Sequence, residues 1–206
     1  MQAEALILDL GGVLIDIDYG KTIEAMSRIG GVDFQPLFSQ AEQVGLFSDY
    51  ECGRIQTPEF RVGLRRYMRL SPTDQELDTA WNAMVGHFPV GRLDTVRRMA
   101  ERMPVFLLSN INTLHENAIQ ELHAGRPDEQ DYERLFNGVY FSHRIGLRKP
   151  DPAAFKLILD EQGLQASSTI FIDDSIQHVL AAQSLGLRAF WLDLASGKTL
   201  EDFLFQ

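Results

Sequence analysis

Five short apolar runs recur along a chain that otherwise reads as helix: Leu6-Ile7-Leu8, Val105-Phe106-Leu107-Leu108, Val139-Tyr140-Phe141, Ile170-Phe171-Ile172 and the stretch Arg188 to Leu192. Runs this short, bounded by turn residues, fit strands buried on both faces rather than buried helices. Helical periods lie between most of them, and strands alternating with helices imply a parallel α/β sheet with right-handed crossovers. Three of the runs finish on residues that carry chemistry: Asp9, Ser109-Asn110 and Asp173-Asp174. A carboxylate is costly to bury, so these residues belong at the open carboxyl ends of the strands, where ligands of α/β sheets bind. Gly11 and Gly12 follow Asp9 at once, letting the backbone turn sharply and come close to a bound group. Taken alone, Asp9 reads equally well as the start of a turn.

Between the first run and the second, the pattern is helical only. Ile23, Met26 and Ile29 stand at helical spacing before Gly30-Gly31, and apolar residues from 33 to 53 (Phe34, Leu37, Phe38, Val44, Leu46, Phe47) continue the period. Thr57-Pro58-Glu59 reads as a helix start with Thr57 as N-cap, followed by Phe60, Leu64 and Tyr67 on one face. Thr73-Asp74-Gln75-Glu76 has capping-box spacing and opens a helix carrying Leu77, Trp81, Met84 and Val85. Residues 18–90 are therefore expected to form a separate helical unit inserted after the first strand. Further on, Leu93 to Met103, Leu114 to Leu122, Asp151-Pro152 to Gly163 and Ser175 to Leu185 read as helices, and the polar stretch Ala124 to Glu133 as an exposed loop.

A chain of 206 residues has room for a full core, and 45% hydrophobic with 23% charged residues suits a soluble globular protein. The formal charge of −10 argues against a nucleic-acid or anionic membrane surface while leaving a locally positive pocket for an anionic substrate. The single cysteine, Cys52, excludes an internal disulfide, fits a reducing compartment and reads as a packing residue. No signal peptide or membrane span is visible, so the cytoplasm is the expected location. The five histidines show no metal-ligand spacing.

The polar strand ends complement one another. Clustered carboxylates repel and call for a cation, and hard oxygen ligands suit Mg²⁺. A Ser109 hydroxyl, a Lys149 ammonium and inward-turned N–H groups of Gly11 and Gly12 suit a phosphate, and a carboxylate can itself attack phosphorus. Each residue alone has a plainer reading: Ser-Asn and Asp-Asp cap helices, and most lysines are solvated.

Asp9-Leu10-Gly11-Gly12-Val13, Leu107-Leu108-Ser109-Asn110, Arg148-Lys149-Pro150-Asp151 and Phe171-Ile172-Asp173-Asp174 together resemble the four motifs of the haloacid dehalogenase (HAD) superfamily, in order and across the whole chain. Gly53-Arg54-Ile55 and Ser142 to Pro150 are similar to its sugar-phosphate phosphatases of the α-glucose-1-phosphate phosphatase type. The resemblance implies a Rossmann-like three-layer sandwich with a central parallel sheet, made of residues 1–17 and 91–206, and a small helical cap at 18–90. It implies a Mg²⁺-dependent phosphatase of small phosphorylated metabolites acting through an aspartyl phosphate, as a monomer or weak dimer. Asp9 would be nucleophile and metal ligand. The main-chain carbonyl of Gly11, Asp174 and Asp173 would complete the metal site. Ser109 and Asn110 would bind the phosphoryl group, and Lys149 would neutralise charge on it and on Asp9. Many phosphatases of the superfamily place an acid two residues after the nucleophile; here Gly11 stands there, and loss of such acid–base help typically slows a reaction about 10²–10⁴-fold. Asp16 and Asp18 are nearby candidates for that proton, or polar residues of a junction, and Arg54, Tyr19 and Phe47 are candidate cap contacts. Two other outcomes share the scaffold: a 2-haloacid dehalogenase, whose halide leaves without a proton, and a weakly catalytic HAD-like binding protein.

Overall fold

The computed structural model describes residues 3–38 and 45–204. Five parallel strands form one sheet in the order β3-β2-β1-β4-β5: β1 Ala5–Leu8, β2 Val105–Ser109, β3 Gly138–Phe141, β4 Thr169–Asp173 and β5 Arg188–Trp191. β1 lies at the centre, pairing Ile7 with Phe106 on one side and with Phe171 on the other. Its side chains alternate between two cores, which is why the run is apolar at every position. Leu6 and Leu8 join Leu107, Val96 and Met99 on one face; Ala5 and Ile7 join Phe106, Phe155, Ile158 and Val179 on the other. The result is a three-layer α/β sandwich with the expected parallel sheet.

The helices are α1 Tyr19–Gly30, α2 Leu46–Glu51, α3 Thr57–Arg65, α4 Asp74–Trp81, α5 Arg92–Ala100, α6 Thr113–Leu122, α7 Pro127–Gln130, α8 Ser142–Ile145, α9 Pro152–Gln162, α10 Ile176–Ser184 and α11 Leu200–Leu204. α1 to α4 gather around their own apolar cluster, built on Phe34, Phe38, Phe47, Phe60 and Trp81, to which α6 contributes Leu114. The chain enters and leaves this helical segment at one place: Ile17 bridges Val85 antiparallel, and the Gly86 N–H donates to the Asp16 carbonyl at 2.9 Å. Among the described residues no helix is long and apolar enough to cross a membrane.

The local expectations meet the structure unevenly. The Thr73–Glu76 capping box forms as read: the Glu76 N–H donates to the Thr73 hydroxyl at 3.2 Å, and the Thr73 N–H to the Glu76 carboxylate at 2.7 Å. Asp151 caps α9, accepting from the Ala153 N–H at 2.9 Å. Thr57 is not the N-cap of α3. Gln56 holds that position, and the Thr57 hydroxyl instead pairs with the Tyr50 hydroxyl at 2.8 Å. The stretch 124–133 contains α7 and the start of a 3₁₀ turn, Tyr132–Leu135, because Tyr132 is buried in the core. Of the helical period read over 33–53, Val44 and the rest of 39–44 lie outside the described residues.

Candidate active site

Three parallel strands deliver the polar groups. The register that sets Leu8 beside both Leu107 and Ile172 brings the ends of β1, β2 and β4, with Asp9, Ser109 and Asp173, to one edge of the sheet. Asp9, Ser109, Lys149 and Asp174 line a cavity of about 70 Å³ there. Lys149 reaches it from the loop after α8 and is fully buried. Its ammonium donates to Asp9 Oδ1 at 2.6 Å, to Asp173 Oδ2 at 2.6 Å and to the Leu108 carbonyl at 2.8 Å, so all three of its N–H bonds have acceptors. Burial opposes the charge, yet Asp173 and Asp9 hold the Lys149 pKa above its ordinary value. Burial pushes the Asp9 carboxyl up, with Asp173 adding to the rise and Lys149 opposing it. Against the same cost of burial, Lys149 and His178 hold Asp173 down at about 2.

Carboxylate oxygens of Asp9, Asp173 and Asp174 lie within 4.8 Å of one another. Lys149 bonds two of these carboxylates, Asp9 and Asp173, and Asp174 stands beside them as a third. A set of hard oxygen donors carrying excess negative charge fits Mg²⁺. The backbone protects this geometry at Gly12, whose φ is +72° and where a Cβ would stand 2.5 Å from Asp174 Oδ2. A side chain there would displace Asp174 from the group.

Asp9, Ser109, Asn110, Lys149 and Asp174, with Gly11, thus line one cavity, and Asp173 stands behind Lys149. Asn110 makes a pair of contacts that the sequence did not suggest. Its amide donates to the Lys149 carbonyl at 2.8 Å while its oxygen accepts the Lys149 N–H at 2.9 Å, clamping the backbone that carries the ammonium. The Gly12 N–H donates to the Ile15 carbonyl at 2.8 Å and so does not turn toward a phosphate. Asp16 is exposed, and Asp18 caps α1 by accepting from the Gly20 N–H; neither lines the cavity. At Gly11 a Cβ would come within 3.1 Å of Ile17 Cγ1, so the room next to Asp9 is filled by an apolar side chain.

From the helical segment, Tyr19, Phe38 and Glu51 line the cavity. Burial pushes the Tyr19 phenol up, helped by Asp174 and Glu51, and it stays a neutral hydroxyl. Arg54 and Phe47 do not reach the site: Arg54 pairs with Asp49 on the surface, and Phe47 stacks on Trp81 inside the helical cluster. Three residues escaped the sequence reading. Glu51 reaches the cavity wall from the end of α2, where it pairs with Arg148 at 3.1 Å. His178 donates through Nδ1 to Asp173 Oδ1 at 3.0 Å. His115, also in the wall, donates through Nε2 to the Trp81 carbonyl at 3.1 Å, leaving Nδ1 to accept from Asn112 at 3.1 Å. Only the spacing of His178 from Asp173 across a helix start offered a hint; the other contacts are made by distant segments.

Comparison with known proteins adds independent findings. A family model described as haloacid dehalogenase-like hydrolase matches residues 3–186. The D-ribitol-5-phosphate phosphatase of Bacteroides thetaiotaomicron is 27% identical over 188 residues, covering 90% of this chain and 89% of that protein. A sesquiterpene phosphatase of Aspergillus oryzae is 30% identical over 189 residues, covering 89% and 87%. The structure of a point variant of a HAD family enzyme from Bacteroides thetaiotaomicron, in complex with magnesium and inorganic phosphate, superimposes with a TM-score of 0.90 at 30% identity, covering 99% of this chain and 100% of that one.

Proposed function

The chain belongs to the haloacid dehalogenase-like hydrolases, and on that premise we propose that it is a Mg²⁺-dependent phosphoric monoester hydrolase acting on small phosphorylated metabolites, sugar phosphates among them, through an aspartyl phosphate. The observation that carries this reading is the group of three carboxylates within 4.8 Å, held against a buried, fully bonded Lys149. Relatives named as phosphatases and a structural neighbour complexed with magnesium and phosphate support it. A metal-independent dehalogenation has no use for that many carboxylates.

Asp9 is the nucleophile in this reading. One of its carboxylate oxygens bonds to phosphorus as the bond to the leaving oxygen breaks, the leaving oxygen taking a proton from solvent; water then attacks the aspartyl phosphate and gives up a proton to solvent, releasing phosphate and restoring Asp9. Lys149 orients Asp9 through Oδ1 and offsets charge on the phosphoryl group. Ser109 donates to a phosphoryl oxygen, and Asn110 positions Lys149. Asp9, the Gly11 carbonyl and Asp174 would hold Mg²⁺, which supplies charge neutralisation and in-line alignment. Asp173, its oxygens taken by Lys149, His178 and the Ser175 N–H, orients that set. Residues 18–90 act as a cap that meets the leaving group and excludes water. The acidic chain acts on metabolites in the cytoplasm, not on nucleic acid or membrane, as a monomer or weak dimer.

Phosphate release from a panel of phosphate esters with Mg²⁺ tests the reading. Asp9→Asn and excess chelator should each abolish release while the fold, followed by circular dichroism, is kept. Release that continues undiminished in Asp9→Asn would overturn it.

A further inference from the structure

Gly11 leaves the loop after β1 without an acid beside the nucleophile, and several other donors in the cavity are already spent. Lys149 gives its three N–H bonds to Asp9, Asp173 and the Leu108 carbonyl, and the Asn110 amide holds the Lys149 backbone. His115 donates to the Trp81 carbonyl and His178 to Asp173. Tyr19 differs. It opens α1, its ring packs on Phe38 at a centroid distance of 5.8 Å within the apolar cluster of the cap, and it lines the same cavity as Asp9. Among the described residues its hydroxyl has no hydrogen-bond partner, and the oxygen opens on the cavity instead of being sealed in the core. A phenol whose body is packed and whose polar tip meets a cavity has an O–H to offer a guest.

Direction decides which atom of the guest it meets. Asp9 attacks from the end of β1, so in-line transfer expels the leaving oxygen on the far side of phosphorus, toward the cap. Ser109 and Lys149 stand with Asp9 at the strand ends, whereas Tyr19 comes from the cap. We infer that Tyr19 is a catalytic residue that donates its phenolic O–H to the leaving oxygen, supplying from the cap the help that position 11 does not; the inference rests on the phosphatase reading and adds a group to its mechanism. As the P–O bond breaks, its electron pair goes to the leaving oxygen, and the Tyr19 hydrogen bond strengthens on the charge that develops there. Tyr19 keeps its own proton, and solvent supplies the one that completes the alcohol. Burial, with Asp174, Glu51, Asp9 and Asp173 close by, pushes the phenol well above its ordinary pKa, so the donor is present throughout the neutral range.

The test measures kcat/KM for phenyl, p-chlorophenyl and p-nitrophenyl phosphate with Mg²⁺, in the wild type and in Tyr19→Phe. The three esters are alike in shape and differ in how much help their leaving oxygen needs, and kcat/KM reads the steps up to its release. Tyr19→Phe keeps the packed ring and removes an oxygen that no described residue bonds, so the fold should stand, as thermal melting will show. Losing one donor to developing charge costs about 10²-fold or more, so phenyl phosphate should lose that much and p-nitrophenyl phosphate far less. Equal losses for all three esters, or none for any, overturn the inference. An unchanged ratio together with a higher Mg²⁺ requirement also overturns it, since Tyr19 would then serve the metal. Should the wild type release no phosphate that Asp9→Asn removes, the phosphatase reading itself fails and the inference with it; release that continues with an unchanged ratio sinks the inference alone.

Discussion

His115 shows how far a single side chain can be read from its partners. The Trp81 carbonyl fixes the proton on Nε2, Asn112 fills Nδ1, and the ring stacks on Trp81 at 5.1 Å, so the neutral form is bonded at both nitrogens. Burial lowers its pKa from 6.5 to about 4. Above 6.5 the ring is neutral in the folded and unfolded chain alike. Between 6.5 and about 4 only the unfolded chain takes up the proton, so this site makes stability fall as pH falls, and below about 4 the loss levels off. From pH 7 to pH 5 the loss amounts to about 2 kcal/mol. Denaturant titrations of wild type and His115→Gln at those two pH values should show a smaller acid loss in the variant; equal slopes would remove His115 from the account. The same scale explains Gly11. Ile17 occupies the space beside it, so an acid placed there would have to push the Ile17 side chain aside.

At the scale of elements, the joint between α2 and α8 sets how the cap meets the sheet. Gly53, just past α2, has φ of +65°, and a Cβ there would lie 2.4 Å from the His143 carbonyl oxygen. Gly53→Ala should therefore lift the cap from α8, destabilising the protein by more than about 1 kcal/mol and lowering turnover. Denaturation midpoints and phosphate-release rates check this, and a variant equal to wild type in both would count against the joint. The elements differ in how visible they were beforehand. Strands ending on Asp9, Ser109 and Asp173 could be read because burial on both faces leaves an unbroken apolar run, and Thr73 because its box is local. Glu51 could not, because α2 gives no sign of which residue faces a loop some hundred positions away. Arg54, three residues on, carries as much charge and points to solvent. The clamp of Asn110 on Lys149 was not legible either, since it depends on a loop that folds back from α8.

For the whole molecule, a small part of the net charge of −10 is gathered at one functional point, where Asp9, Asp173 and Asp174 stand together beside Lys149. A cation bound there relieves repulsion that the folded chain alone sustains. Mg²⁺ at about 100 times its dissociation constant should add about 2.7 kcal/mol of stability, raising the melting temperature by roughly 5–10 °C in a protein of this size. Thermal melts with and without Mg²⁺ should show that rise in the wild type and a much smaller one in Asp174→Asn; an equal rise in both would place the ion elsewhere.

The paired linkers at Ile17 and Val85 have a consequence for how such a protein can change. Because entry and exit lie side by side, the helical segment can be lengthened, shortened or exchanged without disturbing the order of the strands, and Asp9, Ser109, Lys149 and Asp174 all lie outside it. The two halves of the molecule are free to diverge at different speeds. The seam limits that freedom: Glu51 travels with the insert while Arg148 stays behind, and Gly53 likewise parts from His143. A graft from another member of the family would keep the strand-end residues and deprive Arg148 of its carboxylate, unless position 148 were changed to suit the newcomer.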